Sequence, residues 1–349
     1  MNTQTLITTA RMLVAHDKGL LAMDESTTTC NLRFAALGID QTVESRRNYR
    51  ELLITAPGLG EYISGAILYD ETIRQQKADG TSFVKVLTDA GIVPGIKVDT
   101  GAKDLAGSPC EKITEGLDGL RARFCEYSRM GARFAKWRAV FTIGPGTPSR
   151  GCIEANAQAL ARYAALAQEA GLVPVVEPEV LMEGDHDIAT CRRVTEQVLH
   201  TVFGQIYTQH VIPEGMLLKP NMILPGLVSP VQDAADVVAA ATVASLLRAV
   251  PAAVPGVVFL SGGQSAELAS VRLNAMNKTN GSRPPWALSF SFGRALQQPA
   301  LKAWNGDESN VRVAQDALIH RARCNRAARR GEYTAAIESA FHECVTISS

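Results

Sequence analysis

The sequence predicts an α/β fold, a single (β/α)8 barrel, and three observations carry that prediction. Eight short apolar segments rich in β-branched or aromatic residues recur along the chain, and most are followed by a stretch of helical character. Alternating strand and helix imply parallel strands joined by right-handed crossovers, and eight such units are the number that closes a barrel. An open doubly wound sheet is the competing arrangement, but no G-x-G-x-x-G follows the first strand and no Pro/Gly/Ser-rich linker divides the chain.

The expected strands, in order, are 18–24, 63–69, 92–99, 132–138, 172–179, 216–219, 257–261 and 287–290. Between them, 155–170, 188–209, 234–249 and 264–277 are rich in the helix formers Ala, Leu, Glu, Gln and Arg, and two of these stretches stop near Gly171 or Gly256, where a new strand begins. Residues 1–349 are read as one domain, with 305–349 a helical C-terminal extension ending in a mobile tail. The cluster Arg321, Arg323, Arg326, Arg329 and Arg330 on that extension reads as a solvated helix face.

Composition narrows the function. The 35 Lys and Arg residues balance 35 Asp and Glu residues, so no long-range field favours nucleic acid or an anionic membrane, and an anionic ligand must be held by local cations. Seven scattered cysteines without a C-x-x-C pair read as free thiols of a reducing cytoplasm. The first twenty residues lack an apolar signal region, and the longest apolar run, 237–247, is too short to span a bilayer. The six histidines form neither H-x-H nor H-E-x-x-H, so no metal site and no cofactor are expected.

Ionisable residues gather at the C-terminal ends of different strands: Asp24, Lys97, Lys136, Arg138, Glu177, Glu179 and Lys219. In a barrel that end is the catalytic mouth. Lys136 and Arg138 are two apart and project to one side of their strand, as do Glu177 and Glu179. Lys219 closes Gly215-Met-Leu-Leu-Lys219-Pro220-Asn221, where an apolar strand carries its stem to a site holding other cations. A free lysine is only ~0.04% neutral at pH 7, and only the neutral amine attacks a carbonyl; burial and a neighbouring cation, here Lys136, both favour that form. A snorkelling lysine covering the core is the bland alternative. Ser-Gly-Gly at 261–263 after strand seven and Gly293-Arg294 after strand eight suggest an anion cradle, since barrels often bind phosphate between these loops.

Taken together, the segments Lys18-Gly-Leu-Leu-Ala-Met-Asp-Glu-Ser-Thr27, Gly91-Ile-Val-Pro-Gly-Ile-Lys-Val-Asp99, Phe134-Ala-Lys-Trp-Arg138, Val173-Pro-Val-Val-Glu-Pro-Glu179, Leu217-Leu-Lys-Pro-Asn-Met222, Phe259-Leu-Ser-Gly-Gly-Gln264 and Phe292-Gly-Arg-Ala-Leu-Gln297 resemble the class I, Schiff-base-forming fructose-1,6-bisphosphate aldolases, over about residues 15–333. The resemblance implies that Lys219 forms the iminium, that Asp24 removes the C4 hydroxyl proton, that Glu177 shuttles protons, and that Lys136 and Glu179 tune these groups. It implies a C1-phosphate site at Ser261, Gly262, Gly293 and Arg294, and a C6-phosphate site near Ser26, Thr29, Arg33, Lys97 and Arg138. It further implies a sugar bisphosphate as substrate, glycolytic and gluconeogenic use, and a homotetramer in the cytoplasm. Met23, Thr29, Leu32, Thr100 and Phe292 depart from the family pattern, and no tyrosine follows Tyr333. These departures leave open the preference among fructose 1,6-bisphosphate, fructose 1-phosphate and sedoheptulose 1,7-bisphosphate. A related Schiff-base aldolase or transaldolase, and a barrel retained as a scaffold without turnover, are the alternatives.

Overall fold

The computed structural model describes residues 2–278 and 284–340. Eight parallel strands close a barrel in sequence order: β1 (Gly19–Ala22), β2 (Ile63–Leu68), β3 (Val93–Lys97), β4 (Phe134–Phe141), β5 (Val173–Val180), β6 (Leu217–Leu218), β7 (Gly256–Phe259) and β8 (Ala287–Phe292), with β8 pairing back onto β1. Each lies within or overlaps its expected segment. β6 is the shortest because Pro220, which has no N–H to donate, follows Lys219; the Lys219 amide still donates to the Val176 carbonyl at 2.8 Å.

The two-residue period of a strand decides what enters the barrel. Leu20, Ala22, Ile67, Phe134, Val173, Val175, Leu217 and Val258 form one buried cluster inside it, whereas Leu21, Ala135, Trp137, Val176 and Leu218 belong to the larger core shared with the helices. Continuing the inward parity up each strand gives Leu20, Ala22, Asp24; Phe134, Lys136, Arg138; Val173, Val175, Glu177, Glu179; and Leu217, Lys219. Register then aligns Lys97 with Lys136 and Arg138 with Glu177. The lower rungs are hydrocarbon and the upper rungs are charge. Gly95 makes room for the Phe134 ring, which a methyl group there would overlap.

The N-terminal helix Thr3–Leu13 was not expected from the sequence. It sends Leu6, Ala10 and Leu13 into the inner cluster, and so closes the end of the barrel opposite the charges. An antiparallel hairpin, Gly101–Asp104 with Lys112–Glu115, was likewise unforeseen. The helices Arg150–Glu169, Ile188–Thr208, Ala235–Ala249 and Ala266–Asn277 stand where helical segments were expected.

Two long helices follow the last strand, Arg294–Trp304 and Val311–Arg330. The second corrects the reading of its arginines as a solvated face. Arg321 is buried against Glu338 and Ser270, Arg329 donates to the carbonyls of Val14 and Lys18, and Arg326 lies 5.8 Å from the centre of the Tyr62 ring. Only Arg323 and Arg330 are exposed, and Arg330 pairs with Asp17 at 3.0 Å. These arginines dock the extension onto the barrel. The expected mobile tail and the tyrosine-free end, 345–349, lie outside the described residues. Among the described residues, no helix is long and apolar enough to cross a membrane.

Phe134 fills the centre of the inner cluster at zero exposure. Phe134→Ala should cost about 3–5 kcal/mol, because deleting the ring leaves a cavity that closed strands cannot collapse around. A urea midpoint equal to that of the parent would contradict this placement.

Candidate active site

A cavity of about 540 Å³ opens at the C-terminal mouth of the barrel, and all fourteen residues singled out from the sequence line it. At its floor Lys136 Nζ lies 2.8 Å from Asp24 Oδ2 and 3.0 Å from Glu177 Oε2, while Lys219 Nζ lies 3.2 Å from Glu177 Oε1. Glu177 therefore bridges two lysines, one on each carboxylate oxygen. The side chains of Lys136, Lys219 and Glu177 are 4–5% exposed. Burial of these three charges, with Asp24 beside them at 12%, is tolerable only because the four are mutually paired, two cations against two anions.

The electrostatics follow from that packing. Burial alone would push the Asp24 carboxyl up, but Lys136, Lys219 and Lys97 together hold it well below the usual carboxylate range. Burial opposes the charge of Glu177 in the same way, and Lys136, Lys219 and Arg138 outweigh it and lower its pKa. For Lys136 burial favours the neutral amine, yet Asp24, Glu177 and Asp99 overcome it and hold the ammonium form firmly. Lys136 is the fixed cation of the floor, and Glu177 connects it to Lys219.

Toward one side of the mouth, Ser261, Gly262 and Gly263 follow β7, with Gly262 and Gly263 at φ +55° and +88°, a conformation suited to glycine. Gly293 precedes the helix Arg294–Trp304, whose N-terminus faces the cavity. Arg294 is exposed and makes no ion pair among the described residues. Toward the other side, every cation already has a carboxylate. Arg33 pairs with Glu25 at 2.5 Å, Lys97 with Asp99 at 2.6 Å, and Arg138 donates to Glu179. Ser26 caps the helix Thr27–Ala35 by accepting from the Thr29 amide at 3.2 Å, and its hydroxyl lies 3.1 Å from that of Thr29. Glu179 thus partners Arg138 rather than the lysines of the floor.

Among the cavity-lining residues missed in the sequence are Glu25, Asp99 and Ser291. Glu25 takes Arg33, Arg50 at 2.6 Å and the Gln297 amide at 2.8 Å on one buried carboxylate, tying the first loop to the last barrel helix. Its neighbour Asp24 drew attention to the inward parity, and Glu25 faces the other way. Asp99 holds Lys97 and accepts from the Arg138 amide at 3.3 Å. Ser291 is buried on the cavity wall with no hydrogen-bond partner for its hydroxyl among the described residues; the alternation Ser-Phe-Ser-Phe at 289–292 was the available signal.

Of the departures from the family pattern, Thr29 and Thr100 line the cavity, Leu32 is 68% exposed, and Met23 and Phe292 are buried in the core shared with the helices. Among the described residues, His320, Cys324 and Glu338 come close enough together to be weighed as a metal site, but Arg321 and Tyr333 already occupy the Glu338 carboxylate. The six described cysteines are unpaired, and Cys110 and Cys125 are the exposed ones.

A family model described as fructose-bisphosphate aldolase class-I matches residues 5–347. The chain is 55% identical to a probable fructose-bisphosphate aldolase class 1 of Xanthomonas campestris pv. campestris, over 95% of this chain and 99% of that one. It is 54% identical to a cytoplasmic isozyme of fructose-bisphosphate aldolase from Cicer arietinum, over 94% and 91%. Among solved structures, the fructose-bisphosphate aldolase of Plasmodium falciparum, crystallised with TRAP and a small-molecule inhibitor, superposes with a TM-score of 0.93 at 47% identity, covering 95% of this chain and 96% of that one.

Charge pairing at the floor has a measurable pH signature. Asp24 and Glu177 sit below their ordinary values of 3.8 and 4.5, so the stability from their ionisation is complete above those values and is lost as the pH falls through the folded-state values. Lys136→Met removes the cation they share. The acid loss of thermal stability should then begin at higher pH than in the parent; identical acid limbs in the two proteins would show that Lys136 does not hold these carboxyls down.

Proposed function

The chain belongs to the class-I fructose-bisphosphate aldolases, carbon–carbon lyases acting on a sugar bisphosphate, and from that premise we propose how its own residues carry the reaction. Lys219 attacks C2 of the open-chain ketose, and the single observation supporting this role is the 3.2 Å contact that places Glu177 to receive the ammonium proton. The pair Lys219 ammonium and Glu177 carboxylate becomes amine and carboxylic acid. With the charge on Lys219 gone, one of the cations lowering Glu177 disappears, and Glu177 in its acid form protonates the departing C2 hydroxyl. Loss of water restores positive charge at the iminium nitrogen.

Asp24 accepts the C4 hydroxyl proton as the C3–C4 bond breaks. A carboxyl held so low is a weak base in the resting site, but cleavage sends the bonding electrons into the iminium and discharges it to an enamine. The cationic field on Asp24 falls at the moment it must take a proton. Glyceraldehyde 3-phosphate leaves, the proton taken up by Asp24 is delivered to C3 of the enamine, and attack of water on the resulting iminium releases dihydroxyacetone phosphate and regenerates Lys219. The electron sink is the protonated imine, so this cycle calls for no metal or other cofactor.

Ser261, Gly262, Gly293 and Arg294 receive the C1 phosphate; Ser26, Thr29, Arg33, Lys97 and Arg138 receive the C6 phosphate. The unpaired Arg294 supports a dominant role for the first site. An anion at the second must compete with Glu25, Asp99 and Glu179 for its cations. Residues 1–349 form one catalytic domain, which acts in the cytoplasm as a homotetramer; the cytoplasmic isozyme among the relatives and the family resemblance support these readings.

Lys219→Ala should abolish both cleavage and covalent capture by borohydride in the presence of dihydroxyacetone phosphate, with the adduct of the parent mapping to Lys219; an adduct elsewhere contradicts the assignment. Arg294→Ala should raise KM for fructose 1,6-bisphosphate by about ten- to a hundredfold, the loss of one or two charge-assisted hydrogen bonds, and Arg33→Ala by less. Treatment with EDTA should leave turnover intact, and a loss restored by zinc would exclude the metal-free cycle.

A further inference from the structure

We propose that Arg272, a buried arginine outside the cavity, is a positioning residue that aims the backbone N–H groups of the loop 261–263 at the C1 phosphate and adds a fixed positive charge behind them. The inference rests on the assignment of that loop to the C1 phosphate.

Arg272 lies on the helix Ala266–Asn277 and is 3% exposed. Two other arginines show how this chain normally buries a guanidinium: Arg321 in the extension has Glu338, and Arg50 on the helix Val43–Ile54 has Glu25. Arg272 has no carboxylate within ion-pair distance among the described residues, and its Nε has no hydrogen-bond partner. Asp233 attracts it only from farther away. An uncompensated buried cation costs stability, and nothing in its packing returns that cost.

Its one side-chain partner leads to the site. Arg272 Nη1 donates to Gln264 Oε1 at 2.9 Å, and Gln264 Nε2 donates to the Ser261 carbonyl at 2.9 Å, which also accepts from the Gln264 amide at 3.0 Å. A trans peptide points its C=O and the next N–H in opposite directions. Holding the Ser261 carbonyl back toward Gln264 therefore turns the Gly262 N–H outward. Neither the Gly262 nor the Gly263 amide has a backbone partner among the described residues, so both are available as donors beside Gly293 and Arg294. The guanidinium polarises the Gln264 amide in the sense that strengthens this hold, and its field favours an anion at the loop.

The test separates positioning from mere structure. In the condensation direction only dihydroxyacetone phosphate carries the C1 phosphate. Arg272→Met should raise its KM, and that of fructose 1,6-bisphosphate, about tenfold. KM for glyceraldehyde 3-phosphate should stay within about twofold, and the thermal midpoint should be equal to or above that of the parent, because a lone buried charge has been removed. Arg272→Lys, which keeps the charge, should recover part of the lost affinity. A fall in midpoint with kcat and every KM worsening together would make Arg272 structural and overturn the inference. An unchanged dihydroxyacetone phosphate KM in Arg272→Met, when Arg294→Ala raises it, overturns the inference alone; unchanged values in both variants overturn the phosphate assignment as well.

Discussion

Everything at the mouth of this barrel depends on one carboxylate serving two lysines. Glu177 joins Lys136 to Lys219 at 3.0 and 3.2 Å, and Lys136 passes on to Asp24 at 2.8 Å. Two cations and two anions cancel within a few ångströms, which makes burial of the set tolerable. Removing Lys136 leaves Asp24 without its partner, and removing Glu177 does the same to Lys219, a loss of about 3–5 kcal/mol in comparable buried pairs. In the proposed cycle the same coupling does the chemistry, because a proton moved from Lys219 changes the proton affinity of Glu177 and Asp24 at once.

The fold supplies this arrangement through the strand period and little else. Side chains that point inward are apolar from Leu20, Phe134, Val173 and Leu217 upward, and become ionic at the top of those four strands, at Asp24, Lys136, Glu177 and Lys219. The N-terminal helix closes the other end with Leu6, Ala10 and Leu13. A closed bottom and a charged top leave the anionic ligand one place to enter. The positive charge at that place is local, since the chain as a whole carries no net charge.

How much of this could be read from the sequence depended on whether the signal was periodic or three-dimensional. Lys136 with Arg138 and Glu177 with Glu179 declared a shared face by spacing alone, and the strands carrying them were found in place. The N-terminal helix escaped because its apolar residues, Leu6, Ala10 and Leu13, resemble those of any amphipathic surface helix until the barrel end they cover is known. Glu25 and Asp99 escaped because their role is to hold other side chains, and their partners Arg50, Gln297 and Arg138 are distant in the chain. The arginines of the last helix were misjudged for the opposite reason: a run of like charges suggests solvent, yet Arg321 and Arg329 find Glu338 and the carbonyls of Val14 and Lys18 only after the extension has docked. Those partners are products of folding.

If Glu177 carries protons for Lys219 and Lys136 acts chiefly by governing the charge of Glu177, the two residues work as one unit. The most direct measurement is the single-turnover rate of borohydride-trappable adduct formation with dihydroxyacetone phosphate in Glu177→Gln, Lys136→Met and the double variant. The doubly substituted protein should be no slower than the slower single one, a large deviation from additivity. Rate losses that simply multiply would show two independent contributions and contradict the coupling on which this mechanism stands.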